Sequence, residues 1–335
     1  RAGTAWARNR LGWTAIKQGQ FAGAEEMLGS ALSYFRETDH RRGLIWTLND
    51  LGFLLRRQGD YPEAQRQHRE SLRISEMIDF RDGIAWSLYE LADAQRDAGL
   101  YAAAQESLER SLAIYRALGS LDAALCLYRL GYLLILQGQT AQAGPYLEES
   151  LAAYRHVGSQ DGLAITTCYQ GELALAQGDG STAVRHLQRS LALFKSLSED
   201  GNPWGLLRVL DSLSRTYLVL GRLEAACAPL LELGDRARQL SSLPSLMNSL
   251  IGLAFVLARQ GQNGQALDLL AVPLHHPATR YESRQRAQGL LQALEAKLPA
   301  GATHKQLPAG QIQESWEFFD LQLQLLARKS QETIE

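Results

Sequence analysis

Residues 48–64 read Leu48-Asn49-Asp50-Leu51-Gly52-Phe53-Leu54-Leu55-Arg56-Arg57-Gln58-Gly59-Asp60-Tyr61-Pro62-Glu63-Ala64. Leu48, Leu51, Gly52 and Leu55 fall three and four apart, which puts them on one face of an amphipathic helix. Gly59 ends that helix, because glycine tolerates the left-handed conformation in which helices stop. Asp60 then offers a side-chain oxygen to cap the next helix. The stretch therefore predicts a helix, a tight turn and a second helix beginning near Ala64.

The same grammar recurs along the chain. A Gly followed five residues later by Ala occurs as Gly19/Ala24, Gly59/Ala64, Gly99/Ala104, Gly138/Ala143, Gly178/Ala183, Gly221/Ala226 and Gly261/Ala266, in steps of 40, 40, 39, 40, 43 and 40 residues. Each pair is preceded by an apolar set such as Leu127, Leu130, Gly131 and Leu134. It is followed by Ala-x3-Leu-x3-Leu, as in Ala104, Leu108, Leu112. A small residue stands at one phase of every first helix (Gly12, Gly52, Ala92, Gly131, Gly171, Ser214, Ala254). Gly inside a helix costs about 1 kcal/mol relative to Ala, so its recurrence marks a place where a second helix packs close. A single hairpin cannot bury its apolar face, and stacking neighbours completes the core. The fold class is all-α: a solenoid of seven helix-turn-helix repeats forming one elongated array.

Composition agrees. The chain has 335 residues, 46% of them apolar and 21% charged, with 60 Leu against 29 Val, Ile and Thr together. Residues of high strand propensity are thus scarce. Lys and Arg number 34 and Asp and Glu 36, a net charge of −2, so a nucleic-acid partner is not expected. No uncharged apolar run approaches the length of a membrane span. Cys126, Cys168 and Cys227 form no CxxC pair, which argues against a disulfide framework or a structural zinc site and fits a cytoplasmic location.

Chemical motifs point away from catalysis. The sequence holds no GxxxxGK[ST] phosphate loop, no HExxH and no GxSxG, and its seven histidines are mostly scattered. No catalytic residue, metal site or cofactor is expected. His68 stands in a slot that other copies fill with Leu28, Leu108, Leu147, Leu187, Leu230 or Leu270. It is read as a tolerated substitution with a ring nitrogen reaching water.

The grammar resembles the tetratricopeptide repeat, in which a Leu-Gly pair in the first helix accompanies Ala-x3-Phe in the second. Leu11-Gly12, Leu51-Gly52, Leu130-Gly131 and the seven anchor Ala residues carry the likeness. The period of 40 is longer than the family's 34, and the Pro that often closes the second helix is missing. Arg81-Asp82-Gly83-Ile84-Ala85-Trp86-Ser87-Leu88, Gly59-Asp60-Tyr61-Pro62-Glu63-Ala64 and His276-Pro277-Ala278-Thr279-Arg280 are similar to the sensor arrays of bacterial STAND signal-transduction ATPases. The resemblance covers residues 4–298. It implies a right-handed superhelix of seven repeats over 1–276 with a capping helix over 277–298. Beyond it, Pro299, Gly301, Pro308 and Gly310 read as a linker over 299–310, and Trp316, Phe319, Leu323 and Leu326 share one face of a further helix over 311–335.

In tetratricopeptide arrays the off-core stripe of the first helices faces the concave groove. Carried over, the groove residues here are Trp6, Asn9, Trp13, Trp46, Asn49, Phe53, Trp86, Tyr89, Asp93, Tyr128, Tyr132, Glu172, Arg208, Asp211 and Arg215, with Lys17, Arg57, Asp97, Leu125, Leu136, Ile165, Cys168, Ala176, Val219, Asn248, Ile251, Phe255 and Arg259 on the same stripe. Aromatics interleaved with Asn and charge are the material of binding hot spots. For Trp6, Trp46 and Trp86, in first turns, packing on the previous hairpin is the alternative. Trp13 stands where a co-chaperone clamp would carry Asn, so that mode of binding C-terminal peptides is not expected.

The resemblance implies a non-catalytic sensor. It would bind an effector (a protein, a peptide or a small molecule) in the groove and contact an upstream nucleotide-binding module of a longer chain, a reading to which the start at Arg1 is fitted. A free-standing scaffold or peptide-pheromone receptor is the alternative. The 43-residue step, with Ser198-Glu199-Asp200-Gly201-Asn202-Pro203, is read as a tolerated insertion or a hinge.

Overall fold

The computed structural model describes residues 2–197 and 202–296. The expected linker over 299–310, the helix over 311–335 and most of the Ser198–Gly201 insertion lie outside the described residues. Within them run seven helical hairpins: α1 (Ala2–Lys17) with α2 (Phe21–Glu37), α3 (Arg41–Gln58) with α4 (Tyr61–Met77), α5 (Arg81–Asp97) with α6 (Tyr101–Ala117), α7 (Ala123–Leu136) with α8 (Thr140–Val157), α9 (Gln160–Ala176) with α10 (Gly180–Ser196), α11 (Pro203–Val219) with α12 (Leu223–Gln239), and α13 (Leu243–Arg259) with α14 (Asn263–His275). A fifteenth helix, α15 (Tyr281–Glu295), packs on α13 and α14.

The turn chemistry is the one the sequence encodes. All seven anchor glycines have positive φ, from +71° at Gly221 to +90° at Gly59. Asp60 accepts from the Glu63 amide at 3.1 Å and Asp179 from that of Thr182 at 3.0 Å, capping α4 and α10. The small residue of each first helix is a close-packing point: a Cβ added at Gly131 would lie 2.6 Å from Leu147, and one at Gly171 would lie 2.6 Å from Leu187. A serine latch, unread in the sequence, reinforces the hairpins. Ser71, Ser111, Ser150 and Ser190 in the second helices donate to the carbonyls of Ile45, Ala85, Ala124 and Ala164 in their own first helices.

Odd-numbered helices touch the next odd-numbered helix as well as their hairpin partners, as in α3 with α5, α7 with α9 and α11 with α13. They therefore form the inner, tightly curved wall. The curvature brings the two ends of the array together: α13 touches α3, and α15 touches α5. Tyr61 donates to the Ala278 carbonyl at 2.7 Å and Ser241 to the Gly19 carbonyl at 3.0 Å. The anchor turns take part. A Cβ at Gly19 would meet Gln239 and Leu240, one at Gly59 would meet Ala278, and one at Gly99 would meet Tyr281; at Gly138, Gly178, Gly221 and Gly261 nothing lies within 4 Å. The expectation of one elongated array is thus corrected: the last two hairpins and the α14–α15 connection fold back onto the first three.

His68 is corrected too. The ring is fully buried against Gly52, donates from Nδ1 to Asn49 Oδ1 at 3.0 Å, and leaves Nε2 buried without a partner. It does not reach water. Burial, together with the Arg56 charge, holds its pKa down at about 3, so it is neutral.

Candidate functional site

The inner wall encloses a cavity of about 610 Å³, within the usual range of ligand sites. Eight of the fifteen expected groove residues line it: Trp13, Phe53, Trp86, Tyr89, Asp93, Tyr128, Arg208 and Asp211. Lys17, Arg57, Leu125, Ile165 and Asn248 line it with them. The sequence reason is plain: these positions sit opposite the Leu/Gly face of the first helices, and those helices form the inner layer.

The other seven lie outside the cavity lining. Trp6 packs on Phe35 and His40, with ring centroids 5.1 and 5.8 Å away. Trp46 packs on Phe80 and Trp86 of the following hairpin at 6.2 and 6.3 Å. The two asparagines cross-link first helices: Asn9 donates to Asp50 at 2.8 Å, and Asn49 donates to Ser71 and Ser87 at 2.9 and 3.0 Å. Tyr132, nearly fully buried, donates to Glu282 at 2.6 Å and accepts from Arg208 at 3.0 Å. Glu172 accepts from Ser212 and Arg215.

Two buried ionic clusters flank the cavity. In the first, Arg56 lies 3.2 Å from Asp93, 3.2 Å from Asp97 and 3.8 Å from Glu90. Arg96 pairs with Asp93 and Asp97 at 2.6 and 2.7 Å, Arg129 with Asp93 at 3.0 Å, and Arg280 with Asp97 at 3.7 Å. Burial by itself would raise the Asp93 carboxyl, but the guanidiniums of Arg129, Arg96 and Arg56 outweigh it and hold the group well below the usual carboxylate range. The Arg129 guanidinium also sits 4.1 Å from the Tyr89 ring. In the second cluster, Asp211 accepts from Asn248 at 3.0 Å and lies 3.5 Å from Arg215, and Arg208 lies 3.6 Å from Glu282. Burial opposes ionisation of Glu282, yet Arg208, Arg215 and Arg286 hold it below its ordinary range.

Arg56, Glu90, Arg96, Arg129, Tyr169, Trp204 and Arg280 also line the cavity, and the stripe rule missed them. One signal lay in α5. From Ser87 to Asp97 every residue is buried, although four of them are charged. A surface helix has a solvated face for its charges. Here the fold-back covers that face, and arginines from α3, α7 and the segment before α15 neutralise it.

Among the described residues no group of three or more His, Cys, Asp or Glu is placed to hold a metal ion, and no helix is long and apolar enough to cross a membrane.

Tetratricopeptide repeat models match residues 4–38, 43–117, 122–196 and 247–271, well over half of the chain. No curated protein is matched in sequence. Among solved structures, a Rap protein complexed with Competence and Sporulation Factor is 14% identical with a TM-score of 0.61, covering 99% of each chain. The Rap conjugation gene regulator of the plasmid pLS20, in complex with the Phr* peptide, is 15% identical with a TM-score of 0.58, covering 90% of this chain and 98% of that one. A STAND protein with a tetratricopeptide repeat sensor from Pyrococcus horikoshii is 16% identical with a TM-score of 0.47, covering 88% of this chain and 43% of that one. Such likeness at low identity is one of fold, whereas the family models match this sequence itself. The chain belongs to the tetratricopeptide repeat family, whose helical hairpins serve as protein-interaction domains.

Proposed function

We propose that this chain is a sensor that takes a peptide, or an extended segment of a protein, into its central cavity and passes the event on through the fold-back of its two ends. The observation that carries the reading is the cavity itself. It is walled by Trp13, Phe53, Trp86, Tyr89, Tyr128 and Trp204, carries charged groups between the rings, and is built from both ends of the array. Aromatic and Arg side chains in a concave site are the usual anchors of a bound partner. Two solved structures of the same fold hold a bound factor, one Competence and Sporulation Factor and the other the Phr* peptide. An effector that binds the closed form better than an opened one shifts the population toward closure.

The output is proposed to reach an upstream nucleotide-binding module of a STAND-type parent, on the repeat grammar at 81–88 and 276–280. A free-standing peptide receptor is the second reading, favoured by the Phr* peptide bound to a Rap regulator of the same fold. A phosphate loop encoded upstream of Arg1 supports the first.

The test is retention of a random octapeptide pool on the immobilised chain. Trp86→Ala, inside the cavity, is expected to weaken retention about tenfold or more, the scale of a hot-spot aromatic. Trp6→Ala, packed on Phe35 and His40 away from the lining, is expected to lower stability and leave retention intact. Equal retention by wild type and Trp86→Ala refutes the cavity as the binding site.

A further inference from the structure

Among the described residues, one arginine of the cavity lining has no carboxylate partner. Arg56, Arg96, Arg129, Arg208 and Arg280 each pair with a carboxylate. Arg57, in the same lining, forms no ion pair and no hydrogen bond among the described residues. Its Nε is buried without a partner. What holds it is aromatic: the guanidinium carbon lies 4.5 Å from the Phe53 ring centroid and 4.2 Å from that of Trp204. Trp13 closes on Phe53 at 5.0 Å. The indole Nε1 of Trp204 is likewise buried and unpartnered, so a second donor stands beside the cation.

The two rings stand edge to face at 73° and form a corner that holds the guanidinium without supplying it a hydrogen bond. Guanidinium donors match a carboxylate bidentately. Burial and the neighbouring Arg56 and Arg280 charges push Arg57 well below the ordinary arginine range. A guanidinium nevertheless stays protonated in proteins, so the unfavourable charge remains and an anion relieves it. Asp93 and Asp97 act on it from a distance only, since both are engaged by other arginines. One guanidinium fork matches the two oxygens of one carboxylate. Phe53 comes from α3 and Trp204 from α11, so this aromatic corner exists only in the folded-back array.

Resting on the reading of the cavity as a peptide site, we propose that Arg57, held in the corner of Phe53 and Trp204, is the anchor for one carboxylate of the incoming peptide, either its C-terminus or an acidic side chain.

The test uses the full chain, immobilised, and three octapeptide pools that lack Lys and Arg. The first has free C-terminal carboxylates and no Asp or Glu. The second is the same pool amidated. The third is amidated and carries one Glu. The expected result is that the first or the third is retained about tenfold or more over the second, the scale of one charge-assisted contact. The first identifies the C-terminus as the source, and the third a side chain. Arg57→Gln is expected to erase that preference and leave equal residual retention, and Arg57→Lys to keep part of it. Equal retention of all three pools by the wild type overturns the anchor and leaves the peptide-site reading standing. So does a preference that survives intact in Arg57→Gln. Retention of no pool overturns the peptide site and the anchor together.

Discussion

The fold-back makes a quantitative prediction at Gly59. This anchor has φ +90°, and a Cβ there would lie 2.1 Å from Ala278 Cβ and 2.3 Å from its Cα. Gly138 holds the same turn position two repeats later with φ +76° and nothing within 4 Å. Gly138→Ala therefore meets only the left-handed strain, about 1–2 kcal/mol. Gly59→Ala meets the same strain and a collision. Carbon atoms rest about 3.5–4.0 Å apart, so the two surfaces must separate by roughly 1.5 Å. That separation breaks the buried bond from Tyr61 to the Ala278 carbonyl, now 2.7 Å. Leaving such groups unsatisfied costs about 1–3 kcal/mol more. Urea unfolding should show Gly59→Ala losing about 2–5 kcal/mol, the strain and the lost bond together, against about 1–2 kcal/mol for Gly138→Ala. Small-angle scattering should show an enlarged radius of gyration for Gly59→Ala alone. If the two variants lose equal stability and keep the wild-type radius, the ends of the array are not joined at Ala278 and the reasoning fails.

Three further predictions concern the interior. The Asp50 carboxyl is raised by burial to about 7, against the opposing hydrogen bond from Asn9. The folded state holds this proton more tightly than the unfolded one, so its contribution is complete below about pH 4 and is lost as pH rises through 7. Asp50→Asn removes that slope, and a wild-type-minus-variant urea midpoint that stays flat from pH 4 to 7.5 refutes it. His68, held neutral with a pKa of about 3, works in the opposite sense: its contribution is present above the ordinary histidine value of 6.5 and is lost as pH falls from there toward 3. His68→Leu, the residue found at this slot in other copies, should abolish that part of the acid loss, and an unchanged acid limb in thermal melts counts against it. Leu130→Ala, at a site only 1% exposed, should cost about 2–5 kcal/mol. In a repeat array the damage centres on the fourth hairpin and its neighbours, as hydrogen exchange will map.

The hairpins were legible in the sequence because everything that makes one is local. Gly59 stops α3, Asp60 caps α4, and Gly131 opens the space that Leu147 fills, all within a single repeat. The inward face of the first helices was legible for the same reason, and Trp13, Phe53, Trp86 and Tyr89 line the cavity as their spacing predicts. What was not legible depends on residues far away in the chain. Gly59 and Gly138 carry one signal, yet only the first meets Ala278. Asn9 and Asn49 look like groove residues by phase, but each finds a polar partner about 40 residues on, in the adjacent first helix, and becomes a cross-link. Asp93 falls on the groove by phase, but its ion pairs with Arg56 and Arg129 come from neighbouring hairpins, and Asp97 beside it meets Arg280 from the far end of the array. Periodicity measures what repeats, and a fold-back contact occurs once.

This division has a consequence for how the cavity is coupled to the shape of the array. Its first wall (Trp13, Phe53, Arg57, Trp86) belongs to the first three hairpins, and its second (Trp204, Arg208, Asp211, Arg280) to the sixth hairpin and the segment before α15. Separating the ends therefore removes one wall from the other, and a ligand held by both has nothing equivalent to bind in the opened form. Binding and closure are then linked, and each must favour the other by the same free energy. A ligand at a hundred times its dissociation constant supplies about 2.7 kcal/mol, which is comparable with the loss expected for Gly59→Ala. A peptide retained by the wild type should accordingly restore the compact radius of that variant at high concentration, and should bind it more weakly by the factor that matches the lost stability. Full-strength binding to an array that scattering shows to be open would break the linkage and locate the site on one wall alone.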